Sequence, residues 1–277
     1  MVKIFVDSGS SIRQKEKETL GVEILPLRIT LDGVTYTDGI DLSLDVFYDA
    51  LIEKKQFPQT SLPSLEDAER RVCAYTDRGD DVLIITISSG ISGTYGTLCS
   101  FFASNEHVRV LDSKSAVGGV RLLVMEANRH EDMTLDDLYG HLLALVPRLR
   151  VIAVPETLEY LCRGGRLSRG AATIGGILQL KPLISLDSTS GSVRVLSKER
   201  GIKRAMQAVV KALIEENADT DFGIVPSYTY EAKNLDRLLE MTDERYKSAM
   251  LPYDHLDPAI ACHWGPGAFG YIFIAKA

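Results

Sequence analysis

The stretch Asp81-Val-Leu-Ile-Ile-Thr-Ile-Ser-Ser-Gly-Ile-Ser-Gly-Thr-Tyr95 decides the fold class. Residues 82–87 are apolar on both faces of a two-residue period, the pattern of a strand buried on both sides in a parallel sheet covered by helices. Residues 88–95 are mostly glycine and hydroxyl side chains, which read as a loop opening a helix. In an open α/β sheet, ligands bind beyond the carboxyl ends of the strands, and such a loop offers backbone N–H groups and hydroxyls to an anion. Ser92 and Gly93 lie at that helix entrance. Residues 82–105 form an uncharged run of 24, long enough to raise the question of a membrane span. Its polar, glycine-rich middle is a poor lipid-facing surface, so strand, loop and helix start is the better reading. The loop is neither a G-x-x-x-x-G-K-[ST] phosphate loop nor a G-x-S-x-G nucleophile elbow.

The same alternation extends outward. Short β-rich runs at 3–6, 23–29 and 108–112 are separated by helical patterns at 44–55, 65–78 and 117–128. Ser64-Leu-Glu-Asp67 is a helix start, with a hydroxyl to cap and acidic residues on the positive end of the dipole. A helix over 135–149 ends around Pro147, and a strand at 150–154 follows. A boundary near 150 divides the chain into an α/β N-terminal domain, 1–150, with a parallel sheet, and a smaller mixed α/β C-terminal domain, 151–277. In the second, a helix at 156–163 precedes strands at 182–186 and 192–196. The turn Asp187-Ser-Thr-Ser-Gly191 between them is a hairpin signal, so antiparallel strands are expected there.

Composition bounds the function. Of 277 residues, 45% are apolar and 25% charged, which excludes disordered, collagen-like and coiled-coil chains. The 31 Lys and Arg against 38 Asp and Glu give −7, which argues against affinity built on nucleic-acid phosphates. Cys73, Cys99, Cys162 and Cys262 are scattered, without a CxxC or a zinc-site spacing, and read as reduced core thiols. No metal is expected. The opening MVKIFVDSG reads as a strand, not a signal peptide, and the expected location is cytoplasmic without stable membrane insertion. Charge is uneven: Glu156 to Arg204 carries nine basic and four acidic residues, a local +5 that leaves −12 on the remainder. Such a face suits an anionic partner.

Three further segments hold unusual residues. In Pro58-Gln-Thr-Ser-Leu-Pro-Ser64, capping explains Ser64 but not Thr60 or Ser61. In Arg163-Gly-Gly-Arg-Leu-Ser-Arg169, adjacent glycines between arginines suggest close backbone approach as well as charge. In His263-Trp-Gly-Pro-Gly-Ala268, a histidine at a Gly/Pro turn, before an apolar strand at 271–275, is suited to hold a carboxylate. His107, His130, His141 and His255 read as structural.

These segments occur together, in this order, in the DegV family, which the chain resembles from end to end. The matching features are Val6-Asp7-Ser8; Pro26-Leu27 with Tyr36, Asp38 and Gly39; Thr60-Ser-Leu-Pro-Ser64; and Ser89-Gly-Ile-Ser-Gly-Thr-Tyr95. They continue with Leu111-Asp112-Ser113, Glu156-Thr-Leu-Glu-Tyr-Leu161 leading into Gly164-Gly-Arg166, Leu180-Lys181-Pro182, and His263-Trp-Gly-Pro-Gly267. The resemblance implies a two-domain α/β protein that buries a long-chain fatty acid at the domain interface, with no other cofactor. It implies further that the chain is the acyl-carrying subunit of a bacterial fatty acid kinase, presenting the carboxylate to a separate ATP-dependent catalytic subunit that makes the acyl phosphate for phospholipid synthesis. On that analogy Thr60 or Ser61, Ser92, the Gly93 N–H and His263 hold the carboxylate, while Arg166 and Arg169 meet the kinase.

The physics agrees with such a role. A few convergent donors satisfy the head group, and burial at about 0.8 kcal/mol per CH₂ gives a long tail on the order of 10 kcal/mol before ordering costs. Ile177, Leu178, Phe101 and Phe102 are candidate tunnel walls. Leu62 stands where many members have Gln, and Ser8-Gly-Ser-Ser11 lacks the usual Thr and Ala, but neither is among the ligand donors. Two other classes remain: a small-molecule phosphotransferase or hydrolase using Ser92 and His263, for which no acidic third member is evident, and a nucleic-acid-binding regulator using the +5 segment.

Overall fold

A computed structural model describes residues 2–168, 180–253 and 255–277. Its strands are β1 (Val2–Asp7), β2 (Val22–Leu25), β3 (Arg28–Leu31), β4 (Val34–Thr37), β5 (Gln59–Ser61), β6 (Asp81–Thr86), β7 (Val108–Asp112), β8 (Leu149–Val154), β9 (Leu180–Leu186), β10 (Val193–Arg200), β11 (Ile224–Tyr228) and β12 (Phe269–Ile274). The helices are α1 (Leu44–Tyr48), α2 (Leu65–Thr76), α3 (Thr94–Phe101), α4 (Gly118–Ala127), α5 (Leu135–Leu145), α6 (Glu159–Arg163), α7 (Ile202–Glu215), α8 (Lys233–Met241), α9 (Glu244–Lys247) and α10 (Pro258–Trp264).

The apolar run at β6 does what its pattern requires. It sits inside a parallel sheet of order β2-β1-β6-β7, with Ile4 opposite Leu83 and Ile84 opposite Val110, and residues 82–87 are buried. Strand order reverses between β1 and β6, so the loops after these two strands flank a crevice at the carboxyl end of the sheet. The second sheet, β10-β9-β8-β12-β11, is antiparallel throughout. Its β9–β10 hairpin turns at Asp187, whose Oδ1 accepts from the Thr189 and Ser190 amides, and at Gly191 with φ +70°. The chain is thus an α/β protein with a parallel part and an antiparallel part.

A third sheet, β4-β3-β5, lies outside the sequence expectation. The run at 23–29 reads as one strand, but Pro26 cannot donate to a ladder. The chain therefore leaves the parallel sheet after Leu25 and re-enters a separate antiparallel sheet at Arg28, while the Leu27 amide donates to Ser8 Oγ at 3.0 Å. Residues 59–61, expected as loop, form β5 by pairing with β3. Other elements are shorter than their patterns. The helix at 44–55 continues past Tyr48 as a π-turn, the one at 135–149 tightens to a 3₁₀ turn at Pro147, and the one at 156–163 begins only at Glu159.

Helix α4 joins the two halves. Eight of its ten residues are buried, and it packs against β6 on one side and β11 and β12 on the other. A single large apolar cluster consequently runs from Ile4 and Leu83 through α4 to Ile184 and Ile274. Among the described residues, no helix is long and apolar enough to cross a membrane.

Candidate functional site

Beyond the carboxyl end of β6 the two halves enclose a cavity of about 200 Å³. A dry apolar cavity of about 150 Å³ already admits a benzene-sized ligand, so this one is sized for more than water. Most of its wall is apolar: Leu27 and Ile87 from the first half, Val151, Leu161, Ile184 and Trp264 from the second. The polar lining comprises Thr60, Ser61, Ser92, Gly93, Arg166, Ser185 and His263.

Each polar group is placed by its element. Pairing of Thr60 with Ile29 fixes β5, and strand alternation leaves Thr60 half-buried and Ser61 exposed. Thr60 Oγ1 lies 2.8 Å from Nε2 of His263 at the carboxyl end of α10. The amino end of α10 is anchored because Asp38 Oδ1 accepts from the Ala259 amide at 3.1 Å while Asp38 Oδ2 accepts from Ser8 Oγ at 2.7 Å. The loop carrying Ser92 is held by Asp7, which accepts from the Ile87 amide at 2.9 Å, and by Ser88 Oγ, which donates to the Gly191 carbonyl at 2.9 Å. Gly93 is the residue before α3.

Burial dominates the electrostatics. It pushes the pKa of His263 down to about 4, with the nearby Arg166 charge adding to the effect, so the ring is neutral at pH 7. Its Nδ1 is buried without a hydrogen-bond partner. Burial also raises Asp7 and Asp38 to about 7, Asp257 adding to the shift of Asp38. Arg166 lines the cavity rather than lying on an outer face: it is half-buried, donating to the Ile91 carbonyl at 2.8 Å and the Gly164 carbonyl at 2.6 Å. Among the described residues, no carboxylate lies within ion-pair distance of its guanidinium. The paired glycines beside it serve close approach: a Cβ on Gly164 would stand 2.2 Å from His263 Nδ1, and Gly165 has φ +74°.

Thr60, Ser61, Ser92, Gly93 and His263 are therefore brought to one cavity, and Arg166 joins them. Arg169, Ile177 and Leu178 lie outside the described residues. Phe101 and Phe102 do not line the cavity. Phe102 packs in a separate cluster with Phe5 and Val110 behind the parallel sheet, and Phe101 is partly exposed. The pairing that a hydrolase would need is replaced, since Ser92 Oγ shares a 2.8 Å hydrogen bond with Thr94 Oγ1 while His263 engages Thr60. Basic residues of the +5 segment are partly neutralised locally, Lys181 by Glu156 and Arg163 by Glu159. Sequence reasoning missed Trp264 and Ser185 as lining residues. The tryptophan adjoins a singled-out histidine, which was the available signal; nothing local marks the serine.

Fold and cavity define an α/β protein with a mostly apolar, one-headed ligand space between its sheets. The chain belongs to the DegV family, whose sequence profile matches residues 1–276. It is 30% identical to a DegV domain-containing protein of Caldanaerobacter subterraneus subsp. tengcongensis, over 99% of both chains. Among solved structures it resembles a fatty-acid-binding DegV family protein of Thermus thermophilus, at 27% identity and TM-score 0.86 over 99% of both chains. A stearic-acid-binding protein of Eubacterium ventriosum is similar at 26% identity and TM-score 0.86, covering 100% of this chain and 99% of the other.

Proposed function

We propose that this protein binds a long-chain fatty acid with its tail in the apolar cavity and its carboxylate at Thr60, Ser92, Gly93, His263 and Arg166. The observation that carries the reading is the cluster of Thr60, His263 and Arg166 on the wall of an otherwise apolar space. The fatty acids named for the Thermus and Eubacterium relatives support it. An unpartnered buried lone pair is tolerated better than an unpartnered buried N–H, so His263 carries its proton on Nε2 and donates it to Thr60 Oγ1. The Thr60 hydroxyl proton is then free to donate to the ligand. Arg166 supplies the charge that a neutral His263 does not, and a charge-assisted hydrogen bond from it to the carboxylate is about twice as strong as one between neutral groups. Thr60, not the exposed Ser61, is the donor from β5.

On this reading the chain divides near residue 150 into two units with the lipid between them, works in the cytoplasm, and presents the carboxylate to a separate ATP-dependent fatty acid kinase subunit. The exposed face of β10, with Arg194 and Arg200, continues into Lys203 and Arg204 and supplies the basic docking surface for that subunit. Native mass spectrometry of the gently purified chain tests the binding step. An adduct of fatty-acid mass, lost on denaturation, is expected; a chain that stays empty after incubation with a panel of fatty acids rejects the proposal. The kinase step is separable, because Arg200→Glu is expected to lower phosphorylation of the bound lipid without lowering its retention.

A further inference from the structure

Away from the cavity, the carboxyl end of α4 and the next helix bring together three side chains that the fatty-acid site does not use. Glu126 occupies the last turn of α4 and is only 6% exposed. A single oxygen, its Oε1, lies 3.1 Å from Nε2 of His130, four residues on, and 2.9 Å from Nε2 of His141 on α5. The two imidazole rings meet edge to face at 4.5 Å between centroids, and the three ligand atoms all lie within 4.8 Å of one another. The second carboxylate oxygen, Oε2, is held by Arg129 Nη1 at 3.1 Å, and Arg129 is itself fixed by the Asp221 carbonyl at 3.2 Å.

We propose that Glu126, His130 and His141 form a binding site for a divalent transition-metal ion of the Zn²⁺ class. Two imidazole nitrogens and one carboxylate oxygen are the donor set that borderline ions select over Mg²⁺ or Ca²⁺. The dimensions fit. Ligands about 2.0–2.1 Å from a tetrahedral zinc stand roughly 3.3 Å apart, so the two Glu126–His edges open by a few tenths of an ångström to admit the ion, and rotation of the partly exposed imidazoles brings the His130–His141 edge, at most 4.8 Å, to that spacing. Coordination takes the Nε2 lone pairs and so requires the Nδ1–H tautomer of both rings. Arg129 orients the carboxylate from behind, as outer partners of metal ligands do. Water takes the fourth position, since both histidine side chains are about one-third exposed, at 32%. The ion would staple the α4–α5 connection at the far end of the helix that joins the two sheets. Sequence spacing does not reveal the site, because the third ligand comes from a separate helix and these histidines read singly as structural.

The test is a Co²⁺ titration of the tag-free full-length chain, followed through visible d–d bands, with Zn²⁺ calorimetry in parallel. One ion per chain, a tetrahedral Co²⁺ spectrum abolished by Zn²⁺, and a rise in Tm with Zn²⁺ but not Mg²⁺ are expected. His130→Gln and His141→Gln, both at partly exposed positions that leave the fold intact by circular dichroism, are each expected to weaken Zn²⁺ binding at least about tenfold. The proposal is overturned if Co²⁺ gives no tetrahedral spectrum, or if either variant binds Zn²⁺ as the wild type does, which would place the ion at other side chains.

Discussion

At the residue scale the site turns on His263. Burial holds the ring neutral, and the sign of the consequence follows. A histidine whose folded pKa is depressed contributes stability that is complete above about 6.5 and is lost as pH falls towards 4. The loss is on the order of 3 kcal/mol at most. NMR of the imidazole is expected to show no titration between pH 5 and 8, with the pKa rising once a fatty acid is bound, because a carboxylate favours the protonated ring. A ring that titrates near 6.5 in the empty protein contradicts this environment. Ser92→Ala removes a proposed donor to the carboxylate and His263→Ala removes the ring that orients the Thr60 hydroxyl towards it; each is expected to weaken fatty-acid binding roughly 10- to 100-fold, the cost of about 1.5–3 kcal/mol for a hydrogen bond to a charged group. Unchanged affinity in both would reject the carboxylate assignment. Gly164→Ala probes the same ring without removing a polar group. Its Cβ would collide with Nδ1, so displaced lipid with an otherwise intact circular dichroism spectrum is the expected outcome.

At the scale of elements, α4 and α5 make opposite use of glycine. A Cβ on Gly118, at the start of α4, would stand 2.6 Å from Val225 Cβ on β11, so the glycine lets helix and sheet approach. Gly118→Ala is expected to cost about 1–3 kcal/mol through overpacking. Gly140, inside α5, has nothing within 4 Å of a would-be Cβ. There Gly140→Ala is expected to stabilise by about 0.5–1 kcal/mol, the usual helix gain over glycine. Thermal unfolding of the two variants should move Tm in opposite directions; a shift of the same sign would mean that α4 does not pack on β11 as described.

For the whole molecule, the shared apolar cluster and the enclosed cavity make ligand binding and stability one subject. Trp264 is the protein's single tryptophan, is 8% exposed and lines the cavity. Its fluorescence is therefore a direct reporter, and a brominated fatty acid is expected to quench it at one equivalent. Emission unaffected by a fatty acid that demonstrably binds would place the lipid elsewhere. At a free ligand concentration 100 times Kd the bound form gains about 2.7 kcal/mol. Thermal unfolding of the loaded chain should then shift upward as one transition, since α4 ties both sheets into a common core.

The amino-acid sequence by itself determined the periodic elements: the buried run of β6, the Ser64 cap, whose hydroxyl accepts from the Asp67 amide at 3.2 Å, and the Asp187–Gly191 turn. These rest on contacts a few residues apart, so local pattern suffices. The family motifs made Thr60, Ser92 and His263 legible as a set. Tertiary structure alone decided what depends on distant chain segments meeting. It split the 23–29 run between two sheets at Pro26, turned the Thr60 segment into a strand and drew Arg166 from a surface into the cavity wall. It also closed Glu126 with His130 and His141 across two helices. Charge, burial and hydrogen-bond partners at these positions are set by neighbours up to 203 residues away, as between Thr60 and His263, and no window of sequence contains them.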